Sequence, residues 1–310
     1  MDRPPAHRDG RPEAPQGRYV LDGHNFEAGK IAPGLHVVST PIGNLADITL
    51  RALATLAAAD LIACEDTRVT RKLVDRYAVA TPLTPYHDHN AAAARPRLLR
   101  RLADGAALAL VSDAGTPLLS DPGFKLVRAA QEAGHKVTVL PGASAPLAAL
   151  VVAGLPTNQF LFAGFLPAKQ AARRARIEEL AGIPATLILF ETASRIAASV
   201  ADLAARLGHR EAAVCRELTK LHEEVRRGDL ASLAQSFAAG DIRGEIVLVI
   251  APPAVAPLPD IGVADELLRE ALTRASLKDA VGEVARTTGL SRRAVYRRAL
   301  ALVNEEPAAS

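Results

Sequence analysis

The 310-residue sequence predicts an α/β protein: two consecutive α/β domains, followed by a small helical module. Three observations predict this. Apolar runs at 108–111 and 137–140 flank an amphipathic stretch at 124–133, which reads as strand, loop, helix, strand. The crossover of such a βαβ unit is right-handed, so the loops after both strands leave the same carboxyl edge of a parallel sheet, where open α/β folds bind ligands. The alternation of apolar runs and helical spacing then continues to Ile250. Beyond it, prolines at 252, 253, 257 and 259 interrupt the pattern and purely helical spacing takes over.

In chain order, residues 1–33 carry five prolines and scattered charge, with too little apolar surface to offset chain entropy. They read as a disordered N-terminal arm, and they lack the apolar centre of a signal peptide. Strands at 35–38, 61–64 and, more weakly, near Leu83 join the βαβ unit in a first domain, 34–141. The second domain, 142–250, has strands at 160–163, 186–190, 212–215 and 246–250, with helices at 171–180, 193–207 and 230–239. A Pro-rich linker, 251–260, leads to a module at 261–310 with helices at 261–271, 277–285 and 291–302. Gly289 suits the end of one helix and Ser291 the start of the next, a helix-turn-helix pattern.

Bulk composition sets bounds. Apolar residues make up 49% and charged residues 23%, normal for a soluble globular chain. No apolar run approaches the ~20 residues that cross a bilayer. Cys64 and Cys215 each lie in an apolar run and read as buried reduced thiols, which suits the cytoplasm. The net charge of +3 is too small to imply a nucleic-acid partner by itself, so its distribution matters more.

The loops SDAGTPLLSDPG (112–123) and PGASA (141–145) carry the chemistry. Asp113 and Asp121 stand there with no Lys or Arg before Lys125, which repels a polyphosphate, and the Walker and dinucleotide glycine patterns are absent. The pattern fits a cationic ligand held by backbone groups that Gly115, Gly142 and the neighbouring prolines leave uncovered. S-adenosylmethionine, with its sulfonium and ammonium, is such a ligand. Alone, Thr40-Pro41-Ile42-Gly43-Asn44 reads as a strand-to-helix turn; beside two further loops at the same edge it reads as part of one cleft.

These loops resemble the methyl-donor loops of the tetrapyrrole (precorrin-type) methylases. STPIGNLADIT at 39–49, EDTR at 65–68, HDHN at 87–90 and GFLPAK at 164–169 resemble one branch of that family. That branch methylates the ribose 2′-oxygen of a cytidine in the decoding region of 16S rRNA. The resemblance runs from about 35 to 250, with a weaker match near the C-terminus. It implies two α/β domains of the tetrapyrrole methylase type with the donor cleft between them. The donor, S-adenosyl-L-methionine, would be bound by Pro41, Gly43, Ser112, Asp113, Ala114, Gly115, Thr116, Pro117, Ser120, Asp121, Pro141, Gly142, Ala143, Ser144 and Glu245. It also implies 16S rRNA or the small ribosomal subunit as partner, a homodimer, a cytoplasmic location and no membrane. Ser144 and Ser194 stand where the family usually carries Cys and His.

A ribose hydroxyl is a poor acid, so transfer to it calls for a base. Asp66 is the first candidate, His87 the second and Lys220 the third. EDTR follows a strand, and it also reads as a helix start with Asp66 as cap and Arg68 paired to it. Adjacent side chains of HDHN do not converge on a metal, and no Cys cluster or HExxH completes a site, so no metal is expected. Hydrogen bonding to ribose or phosphate suits His87 and Asn90, and Asn90 also fits a helix cap. Lys169, Arg173, Arg174 and Arg176 crowd a helix start whose dipole favours anions; an RNA phosphate and a hydrated surface both account for them. Five arginines and no acid occur between 286 and 298. Arg292, Arg293, Arg297 and Arg298 there fit a phosphate-contacting face or a solvated helical hairpin. Two rival functions remain: a same-fold methylase acting on a tetrapyrrole carbon, and a non-catalytic nucleic-acid-binding protein.

Overall fold

The computed structural model describes residues 17–237, 242–254 and 261–305. It opens with a hairpin of β1 (Arg18–Leu21) and β2 (His24–Glu27). Asp22 and Gly23 form its turn at φ 48° and 80°, the positive pair that a two-residue type I′ turn demands. Buried Tyr19 stacks on Phe26 at 5.4 Å, and Val20 N–H donates to the Tyr77 carbonyl at 2.7 Å. The disordered arm expected for 1–33 is therefore corrected from Gly17 onward; residues 1–16 lie outside the described residues.

The first sheet is built from β3 (Gly34–Val38), α1 (Leu50–Ala58), β4 (Leu61–Cys64), α2 (Thr67–Arg76), β5 (Leu83–Pro85), α3 (Ala91–Ala103), β6 (Ala107–Val111), α4 (Phe124–Glu132) and β7 (Val137–Leu140). Every pairing is parallel, in the order β5-β4-β6-β3-β7. Leu53, Leu56, Ile62 and Val74 pack in one core cluster, and Leu98, Leu102, Leu108 and Leu126 in another. Strands covered on both faces read as unbroken apolar runs, which is why β3, β4 and β6 were visible in the sequence. The chain steps outward from β3 to β4 and β5, then returns to insert β6 between β4 and β3. That reversal puts the loops after β3, β6 and β7 side by side at the carboxyl edge.

The second sheet follows α5 (Ala145–Ala153). It comprises β8 (Phe160–Phe165), α6 (Gln170–Ala181), β9 (Thr186–Thr192), α7 (Ile196–Leu207), β10 (Glu211–Arg216), β11 (Glu224–Asp229), α8 (Leu230–Phe237) and β12 (Glu245–Ile250). Its order is β11-β10-β12-β9-β8, and only β8 and β9 run parallel. Ala149, Leu150 and Ala153 of α5 pack with Ile188, Ala213 and Val249, while Ile177, Leu180, Val200 and Leu233 pack with Leu187, Leu189 and Leu248. Strand β11 was not anticipated. It is a charged edge strand whose Glu224 pairs with Arg216 at 3.0 Å and Arg226 at 2.6 Å, so it carries no apolar run.

The chain divides into two compact units at Pro253/Ala254, and both sheets lie in the first. The second contains α9 (Ile261–Arg274), α10 (Leu277–Thr288) and α11 (Arg292–Glu305) around Leu268, Ala280, Val284, Val295 and Ala299. Ser276 accepts from Asp279 N–H at the start of α10, and Gly289, at φ 71°, ends it. Most of the expected linker, 255–260, lies outside the described residues. Among the described residues no helix is long and apolar enough to cross a membrane.

Candidate active site

The three loops at the carboxyl edge are tied to one another. Thr40 and Gly115 pair both ways, N–H to carbonyl at 2.9 Å and 3.1 Å. The Ser39 and Thr116 hydroxyls lie 3.1 Å apart, and Thr116 Oγ1 donates to the Ala143 carbonyl at 3.2 Å. A Cβ on Gly142 would lie 2.9 Å from Ser39 Cβ, too close for any residue but glycine. The backbone expected to be uncovered at Gly115 is thus corrected, since its N–H and carbonyl are both engaged with Thr40, whereas Gly142 stays exposed and packs closely on Ser39. Leu118 and Ser120 hold φ values of 76° and 66°, strain of about 1–3 kcal/mol each that surrounding structure must sustain.

Above this floor lies a cavity of about 420 Å³ between the two sheets. From the first half it is lined by Ile42, Glu65, Leu119 and the acidic loop; from the second by Phe165, Phe190, Glu191, Thr192 and residues 244–247. Asp113, Ala114, Gly115, Thr116, Ser120, Asp121, Ser144 and Glu245 all line it. Pro41, Gly43 and Ser112 line an adjoining cavity of about 330 Å³, which shares Ile42, Asp113, Ala114 and Glu245 with the first. Pro117, Pro141, Gly142 and Ala143 line neither cavity.

The larger cavity is acidic. Glu65, Asp113, Asp121, Glu191 and Glu245 line it, and no Lys or Arg does among the described residues. Burial, and then the neighbouring carboxylates, push Glu65 up to about 7. Burial likewise pushes Asp121 up to about 6, with Asp113 adding to the effect. Carboxylates that repel one another in a partly dry cleft favour a cation among them. With its apolar walls and its volume, this lining fits S-adenosylmethionine. Phe165, Phe190, Glu191 and Thr192 were not anticipated as site residues, whereas Glu65 belongs to EDTR, the strand-end segment singled out in the sequence. Glu191 is buried and accepts from the Ser199 hydroxyl at 2.5 Å.

Two of the three candidate bases, Asp66 and Lys220, are corrected. Asp66 caps α2, accepting from Arg68 N–H at 2.8 Å, and is forked by the Arg68 guanidinium at 2.6 Å. Those hydrogen bonds hold its carboxyl at about 2, too acidic to take a hydroxyl proton well. Lys220 Nζ lies 2.8 Å from Glu217 and 3.1 Å from Glu245. Burial works to lower its pKa, but the two carboxylates more than offset that and raise it, so it is an ammonium without a free lone pair. Its alkyl chain packs on the first half: a Cβ on Gly43 would sit 2.5 Å from Lys220 Cγ, so glycine lets the two loops meet closely. His87 lines neither cavity. Its backbone N–H donates to Asn90 Oδ1 at 2.9 Å, while Asn90 Nδ2 donates to the Pro85 carbonyl at 3.0 Å. Both ends of the Asn90 amide close its own loop, which corrects its expected substrate contact.

The basic residues also sort differently. Arg173 is buried and, with Arg174, pairs with Asp202 of α7 at 2.6–2.8 Å. Asp202 supplies the anion that the start of α6 calls for, so the expected RNA contact at buried Arg173 is corrected, while Arg174 remains partly exposed. Arg298 forks Asp265 at 2.7 Å and 2.6 Å, which corrects its expected phosphate contact. Arg68, Lys169, Arg292, Arg293 and Arg297 are exposed. Among the described residues no three His, Cys, Asp or Glu side chains group as metal ligands would. Both cysteines are buried and unpaired, and burial pushes the Cys215 thiol up to about 11.

Residues 34–234 match the family described as Tetrapyrrole (Corrin/Porphyrin) Methylases, and residues 259–303 match the RsmI C-terminal HTH domain. Over 274 residues the chain is 51% identical to the ribosomal RNA small subunit methyltransferase I of Mesorhizobium japonicum, spanning 88% of this chain and 93% of that one. The chain belongs to the methyltransferase I family. A second member, from Erythrobacter litoralis, is 50% identical over 279 residues, or 90% of this chain and 99% of its own. The methyltransferase I fold is shared with the uroporphyrin-III C-methyltransferase of Thermus thermophilus, solved with S-adenosylhomocysteine. That likeness has a TM-score of 0.51 at 18% identity, over 70% of this chain and 97% of the other. S-adenosyl-L-methionine is the methyl donor of the family.

Proposed function

We propose that the protein methylates the ribose 2′-oxygen of a cytidine in the decoding region of 16S rRNA, working in the cytoplasm as a homodimer. The observation that carries this reading is an acidic cleft in a chain about half identical to small-subunit rRNA methyltransferases. When bound, the donor supplies an electrophilic methyl group on a sulfonium. Asp113 and Asp121 attract its charge, Phe165 and Phe190 wall it from water, and Lys220 packs on Gly43 where the two halves meet. Fixed placement of two reactants in such a cleft supplies much of the rate through effective molarity. The helix-turn-helix unit argues against a tetrapyrrole acceptor, which has no need of a basic helical module. The test is incubation with labelled donor and small subunits lacking the modification, followed by mapping of the labelled nucleotide. Label on a cytidine ribose is expected; label on a base, or none on RNA, overturns the reading.

The homodimer rests on the edge strand β7 and the helix after it. Val139, Leu147 and Val151 are 61%, 50% and 76% exposed, apolar side chains of the kind that subunit interfaces cover. Val151→Asp is expected to convert dimer to monomer in sedimentation runs at micromolar protein. A variant that sediments as wild type removes α5 from the interface.

A further inference from the structure

Strand β4 lies beside β6, on the side away from β3 and β7. The loops that close the cavity floor follow β3, β6 and β7, so they leave the β4 flank of the cleft to other chemistry. The first residue after β4 is Glu65, which lines the cavity, whereas the next, Asp66, turns to cap α2. Carboxylates surround Glu65: Asp113 and Asp121 after β6, Asp88 after β5 and Asp66 before α2. Glu191 and Glu245 face the same cavity from the second sheet. Asp113 is already committed, with its Oδ1 accepting Asp66 N–H at 2.9 Å. Asp121 belongs to the loop that forms the floor.

We propose that Glu65 is the proton acceptor for the attacking hydroxyl. This rests on the reading that the acceptor is a ribose hydroxyl. The O–H proton passes to a Glu65 carboxylate oxygen as the hydroxyl oxygen bonds to the methyl carbon. The carbon–sulfur bond breaks with its electron pair left on sulfur, and protonated Glu65 then returns its proton to solvent. A base held near 7 is ionised often enough to act and basic enough to draw the proton.

The acid form is inactive, so the rate of wild type falls as pH drops through about 7 in the free enzyme. A bound cation lowers that midpoint. Stability follows the same shift with the opposite sense. Glu65 holds its proton more tightly folded than at its ordinary 4.5, so its ionisation destabilises the fold as pH rises from 4.5 to about 7.

The experiment measures single-turnover methylation of unmodified small subunits at saturating donor across pH, with donor affinity by calorimetry and melting of the donor-free protein. Glu65→Gln is expected to slow transfer at least about 100-fold, with donor affinity changed only a few-fold, and to abolish the pH limb. Glu65→Asp is expected to restore part of the rate and the limb. The donor-free Gln variant is expected to gain melting temperature over wild type at pH 8.5 relative to pH 4.5. Wild-type speed and pH profile in a folded Gln variant overturn the proposal, as does a limb that vanishes in Asp121→Asn and survives in Glu65→Gln. If wild type labels a base instead of a ribose, the proposed function fails first; a ribose label with undiminished Glu65→Gln rates sinks the role of Glu65 alone.

Discussion

Asp202→Ala is expected to cost the folded protein about 3–5 kcal/mol, because it leaves the guanidinium of buried Arg173 without a counter-charge. Side chains of Arg173 and Asp202 are only 6% and 4% exposed, so water cannot replace the missing partner. Arg174 is 42% exposed, and Arg174→Ala should cost no more than about 1 kcal/mol. Replacing both buried partners, with Arg173→Met and Asp202→Leu together, should recover most of the loss, since an apolar pair of similar volume avoids the stranded charge. Urea unfolding of the three variants and wild type decides it. An Asp202→Ala protein within 1 kcal/mol of wild type would mean that the network adds nothing. The pH dependence has a defined sign. Burial favours the neutral acid, but the two guanidiniums more than offset it and hold the Asp202 carboxyl below its ordinary 3.8. Its contribution is therefore present above pH 3.8 and is lost as acid titrates the folded carboxylate.

The same network marks where sequence reasoning ran out. Arg173 and Asp202 are far apart in the chain and meet only because α6 and α7 pack together, so the cluster at 169–176 read as a free basic surface. Buried parallel strands were legible, since each is an apolar run that ends in a loop of Gly, Pro, Ser and Asp. The N-terminal hairpin also carried a readable signal, Asp22-Gly23 between RYVL and HNFE, but the prolines of 1–33 outweighed it. Strand β11 had none, because an edge strand answers to ion pairs with its neighbour and not to burial. At the site, the sequence placed Glu65 and Asp66 together at a strand end. Both follow the strand, where the start of α2 sets which way each side chain turns, and only the fold shows which one faces the cavity. Gly43 and Gly142 were visible as loop glycines; that each exists to admit another side chain depends on contacts outside its own loop.

Binding of RNA is expected to centre on one face of α11, with a smaller set of arginines than the charge run alone implies. Arg293, Tyr296 and Arg297 lie three and four residues apart, so they share that face, and all are exposed. Arg292 precedes them at the helix start, while Arg298 is turned into its own unit against Asp265. Each phosphate contact adds about 0.9 to the salt slope on duplex RNA or about 0.7 on single strands. Changing Arg292, Arg293 and Arg297 to Gln should therefore flatten the slope by about 2–3 and weaken subunit binding most at low salt. Donor affinity should not change, because none of the three lines the cavity. Arg298→Gln should do the reverse, leaving the slope alone while lowering the melting temperature of the helical unit. Tyr296→Ala should weaken binding equally at all salt concentrations, since stacking on a base releases no counterion. Subunit affinity across a salt series separates these outcomes. A triple variant with the wild-type slope would make α11 a structural helix, and the RNA would then have to be held by Arg68, Lys169 and the rim of the cleft.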